Sequence, residues 1–171
     1  MNRGIILGPD GNKMSKSKGN VVDPDDVVGV LGADTVRTYL AFIGPFNEVG
    51  HYPWSPDGIV GVRRFLERVW RAQDLVVETH ENMEVTRAIH QAIKKVGEDI
   101  EEMKFNTAVS ALMVCLNVIE DGKIVSEEEY KALLKLLAPF APHIASELWN
   151  IRNGEGDIHQ AAWPEFDEAM L

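Results

Sequence analysis

From Ser55 onward, apolar residues recur with the period of an α-helix, and the recurring stretches are separated by capping signals rather than by strand-like alternation. At roughly 100° per residue, Ile59, Val62, Phe65, Leu66, Val69, Trp70 and Val76 share an arc of about 140°. That pattern predicts an amphipathic helix over 55–79, opened by Ser55 as N-cap and Pro56 at the first helical position. Val85, Ile89, Ala92, Ile93, Val96, Ile100 and Met103 predict a second helix over 84–103, and a third follows over 106–120. Ser126-Glu127-Glu128-Glu129 is a capping-box sequence ahead of a helix over 130–137. Pro139 and Pro142 interrupt it, a helix resumes over 143–151, and 158–171 is less regular. Elements with one apolar stripe each can only bury it against one another, so this part of the chain is expected to be a helix bundle.

The first fifty residues are patterned differently. Residues 4–7 (Gly-Ile-Ile-Leu) read as a short strand, and Gly8-Pro9-Asp10-Gly11-Asn12 is a dense turn signal. Between 13 and 20 the only apolar residue is Met14, which marks a surface loop. Asp23-Pro24 then opens a short helix that Gly32 ends, and a second helix over 34–43 stops at Gly44-Pro45. The expectation is a mainly α chain: a strand, a polar loop and two helices over 1–48, then a helical domain over 49–171.

The chain has 171 residues, 45% of them hydrophobic, which is enough for a buried core. It has no run of about 18 apolar residues, so a spanning helix is excluded and no membrane partner is expected. Cys115 is the lone cysteine, which excludes an internal disulfide and a Cys-rich zinc site and fits a reducing cytoplasm. No metal site is expected. The net charge of −10 is unevenly placed. Residues 1–76 carry nine basic and nine acidic residues, so the whole excess lies in 77–171. Arg3, Lys13, Lys16 and Lys18 face Asp10 alone in the first 22 residues, a local basic start that suits an anion.

Lys13-Met14-Ser15-Lys16-Ser17-Lys18-Gly19-Asn20 places three lysines and two serines within six residues. Ammonium groups supply mobile charge and hydroxyls supply directional donors, a combination that can surround a polyanion. The loop is not a P-loop, since no G-x-x-x-x-G-K-[ST] pattern is present. Taken as composition alone, such a loop is most simply a solvated basic turn.

The order of its residues says more. Lys-Met-Ser-Lys-Ser resembles the second signature of class I aminoacyl-tRNA synthetases, in a matching context of strand and turn before it and Gly32-Ala33-Asp34-Thr35-Val36-Arg37 after it. Phe65-Leu66-x-Arg68-Val69-Trp70, Phe105-Asn106-Thr107-Ala108, the run from Leu137 to Ala145 and Ala162-Trp163-Pro164 resemble the helical anticodon-binding domain of the same family. Lys18 and Trp54-Ser55-Pro56-Asp57-Gly58 resemble the leucine subgroup more than the isoleucine and valine ones. The resemblance implies a part of a leucine–tRNA ligase, with ATP as cosubstrate, Mg2+ in the full-length enzyme and tRNA(Leu) as partner. It assigns Lys13 and Lys16 to catalysis and Lys13, Met14, Ser15, Lys16 and Ser17 to the ATP phosphates, chiefly Lys16. A His-x-Gly-His signature, which the family also needs, is absent from the sequence. The expected state is therefore a C-terminal piece, inactive alone, whose further partner is the remainder of the catalytic domain or a split-enzyme subunit. A stand-alone RNA-binding module and a fragment of an isoleucyl or valyl enzyme remain as alternatives.

Two helix faces are candidates for RNA. Arg64, Arg68 and Arg71 cluster within about 60° on the first long helix, a spacing able to follow phosphates. Arg87 and Lys94, with His90 and Gln91, lie opposite the apolar arc of the next, diluted by Glu98 and Glu101. The competing account of either face is solvation with pairs such as Glu67–Arg71. His143 is expected to pack or cap, residues 10–20 to be loosely held, and Trp149, Trp163 and Phe140 to lie in the core.

Overall fold

The computed structural model describes residues 4–46 and 50–171. Among them are seven α-helices and two pairs of short strands. Strand β1 (Ile5–Leu7) leads into the lysine loop, which is followed by α1 (Pro24–Leu31) and α2 (Ala33–Phe42). Strand β2 (His51–Pro53) returns to lie parallel to β1, pairing Ile5 with His51 and Leu7 with Pro53. Then come α3 (Pro56–Ala72), β3 (Val76–Val77), α4 (Met83–Glu101), α5 (Phe105–Gly122), β4 (Val125–Ser126), α6 (Glu127–Leu137) and α7 (Pro142–Ile151).

The expected caps are in place. Asp23 accepts from the Asp25 amide, Ser55 accepts from the Gly58 amide at 3.0 Å, and Ser126 and Glu129 complete a reciprocal capping box. The first long helix is shorter than its apolar period predicts, ending at Ala72 instead of 79. Residues 73–75 tighten into a 3-10 turn, and Val76–Val77 pairs in parallel with Val125–Ser126. A partner strand about fifty residues away thus overrides a continuing helical pattern. The strand expected over 4–7 is present as β1, and its parallel partner β2 is one the sequence did not announce. The expected boundary at 48/49 falls among residues outside the described ones.

Burial follows the predicted stripes, with one main core and one satellite. The main core joins Phe65, Leu66 and Val69 of α3 to apolar faces of α4 through α7, where Leu112, Leu116, Leu133, Leu134 and Leu137 are essentially sealed from solvent. Each such side chain contributes about 1.5–3 kcal/mol by leaving water. The satellite core is Val36 and Tyr39 of α2 with Ile59 and Val62 of α3, against which Val27, Val28 and Leu31 of α1 pack. Phe42 and Met113 touch both cores and make them continuous. Phe140 and Trp149 are buried as expected, but Trp163 is 42% exposed, because it sits on the irregular tail that lies along α4. No helix among the described residues is long and apolar enough to cross a membrane.

Candidate functional site

The lysine loop is built on a frame of short-range hydrogen bonds. Leu7 forms an isolated antiparallel bridge with Lys13, and the Gly8 amide donates to the Asn12 carbonyl at 2.8 Å. Gly8 is required there: a Cβ would meet the Asn20 carbonyl oxygen and the Asp10 carboxylate, both at 2.8 Å. Asp10 accepts from the Asn12 amide and from Asn20 Nδ2 at 3.0 Å. Asn20 in turn accepts the Ser15 amide at 2.8 Å and donates to the Lys13 carbonyl at 3.3 Å, joining both ends of the motif. Residues 16–18 form one 3-10 turn, which Gly19 leaves in the left-handed region at φ 66°. The loop is therefore fastened, not loose as its crowded lysines predict, because Asp10 and Asn20 supply an internal hydrogen-bonded bridge. The Asn20 side chain, with the Asn12 amide, holds the Asp10 carboxyl below its ordinary value.

The lysines themselves stay outside this frame. Lys13, Lys16 and Lys18 are exposed and form no ion pair among the described residues, while Met14 and Ser15 are half-buried. The hydroxyls of Ser15 and Ser17 lie 2.8 Å apart. Three cations without carboxylate partners, beside two hydroxyls and on a fixed backbone, suit a multiply charged anion such as a polyphosphate.

The arginines of α3 divide. Arg64 and Arg71 are exposed and form no ion pair among the described residues. Arg68 is half-buried, donating its guanidinium to both carboxylate oxygens of Glu120 and to Asn117 on α5. Glu67 pairs with Arg63 at 2.8 Å rather than with Arg71, and Arg63 also donates to the Leu31 carbonyl at the end of α1. Trp70, expected in the apolar arc, is 40% exposed, since it lines a cleft of about 750 Å³ with Leu31, Arg63, Arg71 and His143. On α4, Arg87 is exposed, Lys94 lies 5.6 Å above the Phe166 ring, and His90 Nδ1 accepts the Asp167 amide at 3.0 Å. The tail thus takes two of the polar groups on that face.

Sequence reasoning missed Asp34 and Arg63, two residues that join segments far apart in the chain. His143, expected to pack or cap, does neither with its ring, which is 75% exposed and has Nδ1 2.8 Å from Asp34 Oδ1; its backbone amide is instead capped by Asp34. A signal for Asp34 existed. Helix α7 opens Ala141-Pro142 without a capping side chain, so its free amides needed an acceptor from elsewhere.

Residues 82–171 match the family described as the anticodon-binding domain of tRNA ligase, and residues 1–49 match tRNA synthetases class I (I, L, M and V). The chain belongs to the tRNA-ligase family. It is 48% identical to the leucine–tRNA ligase of Alkaliphilus oremlandii over 97% of its own length and 21% of that protein. It therefore spans about a fifth of the length of the curated relatives it matches. The tRNA-ligase fold recurs in the LeuRS of Agrobacterium radiobacter K84, solved as a ternary complex with tRNA and LeuAMS, with a TM-score of 0.86 and 35% identity over 99% of this chain and 24% of that one. Mycobacterium tuberculosis methionyl-tRNA synthetase, in complex with methionyl-adenylate, shares the fold at a TM-score of 0.63 and 20% identity, over 86% of this chain and 37% of that one. The mainly helical class and the family expected from the Lys-Met-Ser-Lys-Ser motif are thus found.

Proposed function

We infer that this chain is the part of a leucine–tRNA ligase that carries the lysine loop and the tRNA-binding helices. Residues 1–48 close the catalytic domain and 49–171 form the tRNA-binding domain. Its partners are the remainder of the catalytic domain and tRNA(Leu), and it works in the cytoplasm. The observation that carries this reading is the set of unpaired lysines on a hydrogen-bonded loop, inside a chain that aligns along nearly its whole length with leucine–tRNA ligases.

During activation the leucine carboxylate attacks the α-phosphorus of ATP and pyrophosphate departs. Negative charge grows on the departing oxygens, so a cation meeting it there lowers the barrier more than it stabilises the ground state. Lys16 is assigned that role, Lys13 assists, and Ser15, Ser17 and Met14 shape the loop. Mg2+ bound with ATP in the full-length enzyme would supply further positive charge to the phosphates. Arg64 and Arg71, with Arg68, Arg87 and Lys94 in support, bind tRNA phosphates and sugars and so position the tRNA without reading its sequence.

The test is to replace the corresponding segment of the Alkaliphilus oremlandii enzyme with this chain. The hybrid is expected to catalyse leucine-dependent ATP–pyrophosphate exchange. No exchange with any amino acid by the folded hybrid would remove the ligase reading.

A further inference from the structure

Helix α7 begins without a cap of its own. Its N-cap residue is Ala141, and Pro142 at the first position has no N–H. The next two amides both donate to Asp34 of α2: His143 N lies 3.3 Å from Oδ1 and Ile144 N 2.7 Å from Oδ2. The carboxylate comes from 109 residues earlier in the chain, and its side chain is only 12% exposed. One turn further along α2, Arg37 donates to the Pro139 carbonyl at 3.2 Å and Thr38 to the Phe140 carbonyl at 3.3 Å. Positions i, i+3 and i+4 of one helix face thus grip the entire corner between α6 and α7.

The opposite face of α2 carries both flanks of the lysine loop. The Tyr39 ring meets Trp54 edge-on at 4.9 Å, and the Trp54 amide donates to the carbonyl of Leu7, the last residue of β1 before the loop. The Tyr39 hydroxyl accepts the Ser55 amide at 2.7 Å. Beyond the loop, Val27, Val28 and Leu31 of α1 pack on Val36 and Tyr39. Helix α2 is a strut, bonded to the bundle on one side and bearing the loop on the other.

We propose that Asp34 is a positioning residue for the lysine loop: by fixing α2 to the start of α7, it sets where Lys16 stands relative to the helical bundle. The proposal rests on the assignment of the loop to activation given above. Capping α7 is a stability role, and positioning is separable from it. Asp34→Ala removes the cap and one of the three ties from α2, leaving those of Arg37 and Thr38, whereas Ala141→Ser added to it gives α7 a hydroxyl cap from its own chain and leaves the Asp34 tie broken.

The experiment compares three proteins in the hybrid enzyme: the parent, Asp34→Ala, and Asp34→Ala with Ala141→Ser. Asp34→Ala is expected to lower kcat of leucine-dependent exchange about tenfold with KM for leucine unchanged, as displacement of a group far from the reacting atoms does. The double variant is expected to recover the melting temperature and not kcat. In the chain itself, hydrogen exchange at the Gly11 and Ser15 amides should quicken by a similar factor in both variants, while the amides of Leu112 and Leu133 stay as they were. Recovery of kcat and loop protection together with melting temperature overturns the proposal and leaves Asp34 a helix cap. Unchanged kcat and loop exchange in Asp34→Ala overturn it too. If Asp34→Ala does not fold, Asp34→Asn, which keeps one accepting oxygen, carries the same comparison. A parent hybrid without exchange refutes the ligase reading, and the loop amides then decide on Asp34 alone.

Discussion

Arginines at 64, 68 and 71 share one side of α3 and meet different fates. Arg68 reaches across to Glu120 and Asn117, while Arg64 and Arg71 stay exposed. Arg68→Ala should therefore lower unfolding stability by about 1 kcal/mol, the upper end for a partly exposed pair with two-pronged geometry. Arg64→Ala and Arg71→Ala should each stay within about 0.5 kcal/mol. Affinity for tRNA(Leu) should follow the reverse order, with Arg64→Ala and Arg71→Ala each reducing the salt slope by about one, the loss of one neutralised phosphate. Urea unfolding and tRNA titrations at several salt concentrations check both sides. If Arg68→Ala loses more RNA affinity than Arg71→Ala, the division of the stripe is wrong. In the loop, Lys16→Ala in the hybrid enzyme should slow pyrophosphate exchange by roughly 10²–10³-fold, the scale of one lost charge-stabilising donor. Its tRNA affinity should hold, and exchange at parental speed would end the assignment.

At the scale of elements, the start of α6 is a joint tied by several hydrogen bonds. Glu129 completes the capping box on Ser126 and also bonds Thr86 of α4 and His80 ahead of it. Burial pushes its carboxyl up, but the Ser126 amide, the Thr86 hydroxyl and His80 outweigh burial and hold it below the ordinary glutamate value of 4.5. A carboxylate lowered on folding contributes stability that is present above its unfolded pKa and lost as pH falls through the folded one. Glu129→Gln should thus be less stable than the parent at pH 7, with the gap closing below about pH 4.5 as the parent's carboxyl protonates. Chemical denaturation from pH 7 to pH 3 measures it, and a gap of constant size would show that the joint works by shape alone. The helix pair α4–α5 depends on sealed side chains, so Leu116→Ala should cost about 2–5 kcal/mol. Beside it, burial pushes the Cys115 thiol up to about 12, and a thiol reagent at pH 8 should label it only after unfolding.

At the scale of the whole molecule, charge and chemistry are segregated. The basic start carries the exposed loop lysines, the acidic remainder of the chain supplies the bundle, and α3 between them offers the exposed arginines. Without a His-x-Gly-His pair, this chain alone should give no leucine-dependent pyrophosphate exchange. It should still bind tRNA(Leu), because the arginine face needs nothing from the catalytic half. Exchange by the purified chain would mean that its loop lysines act without the first signature.

Local rules were enough for the caps and the stripes. Ser55-Pro56, Asp23-Pro24 and Ser126-Glu129 mark helix starts because each satisfies its own helix's free amides within three residues. The apolar period marked the core, and the order Lys-Met-Ser-Lys-Ser marked the loop, since both are carried by neighbours in the chain. What only the tertiary structure decided is long-range. Val76–Val77 leaves the helix for a strand beside Val125–Ser126, Arg68 leaves its stripe for Glu120, and Trp70 opens onto a cleft. Asp34 caps a helix 109 residues away. Each of these depends on a partner that reaches the residue only after the helices have packed, and spacing along one element cannot encode which distant donor or acceptor will stand opposite it.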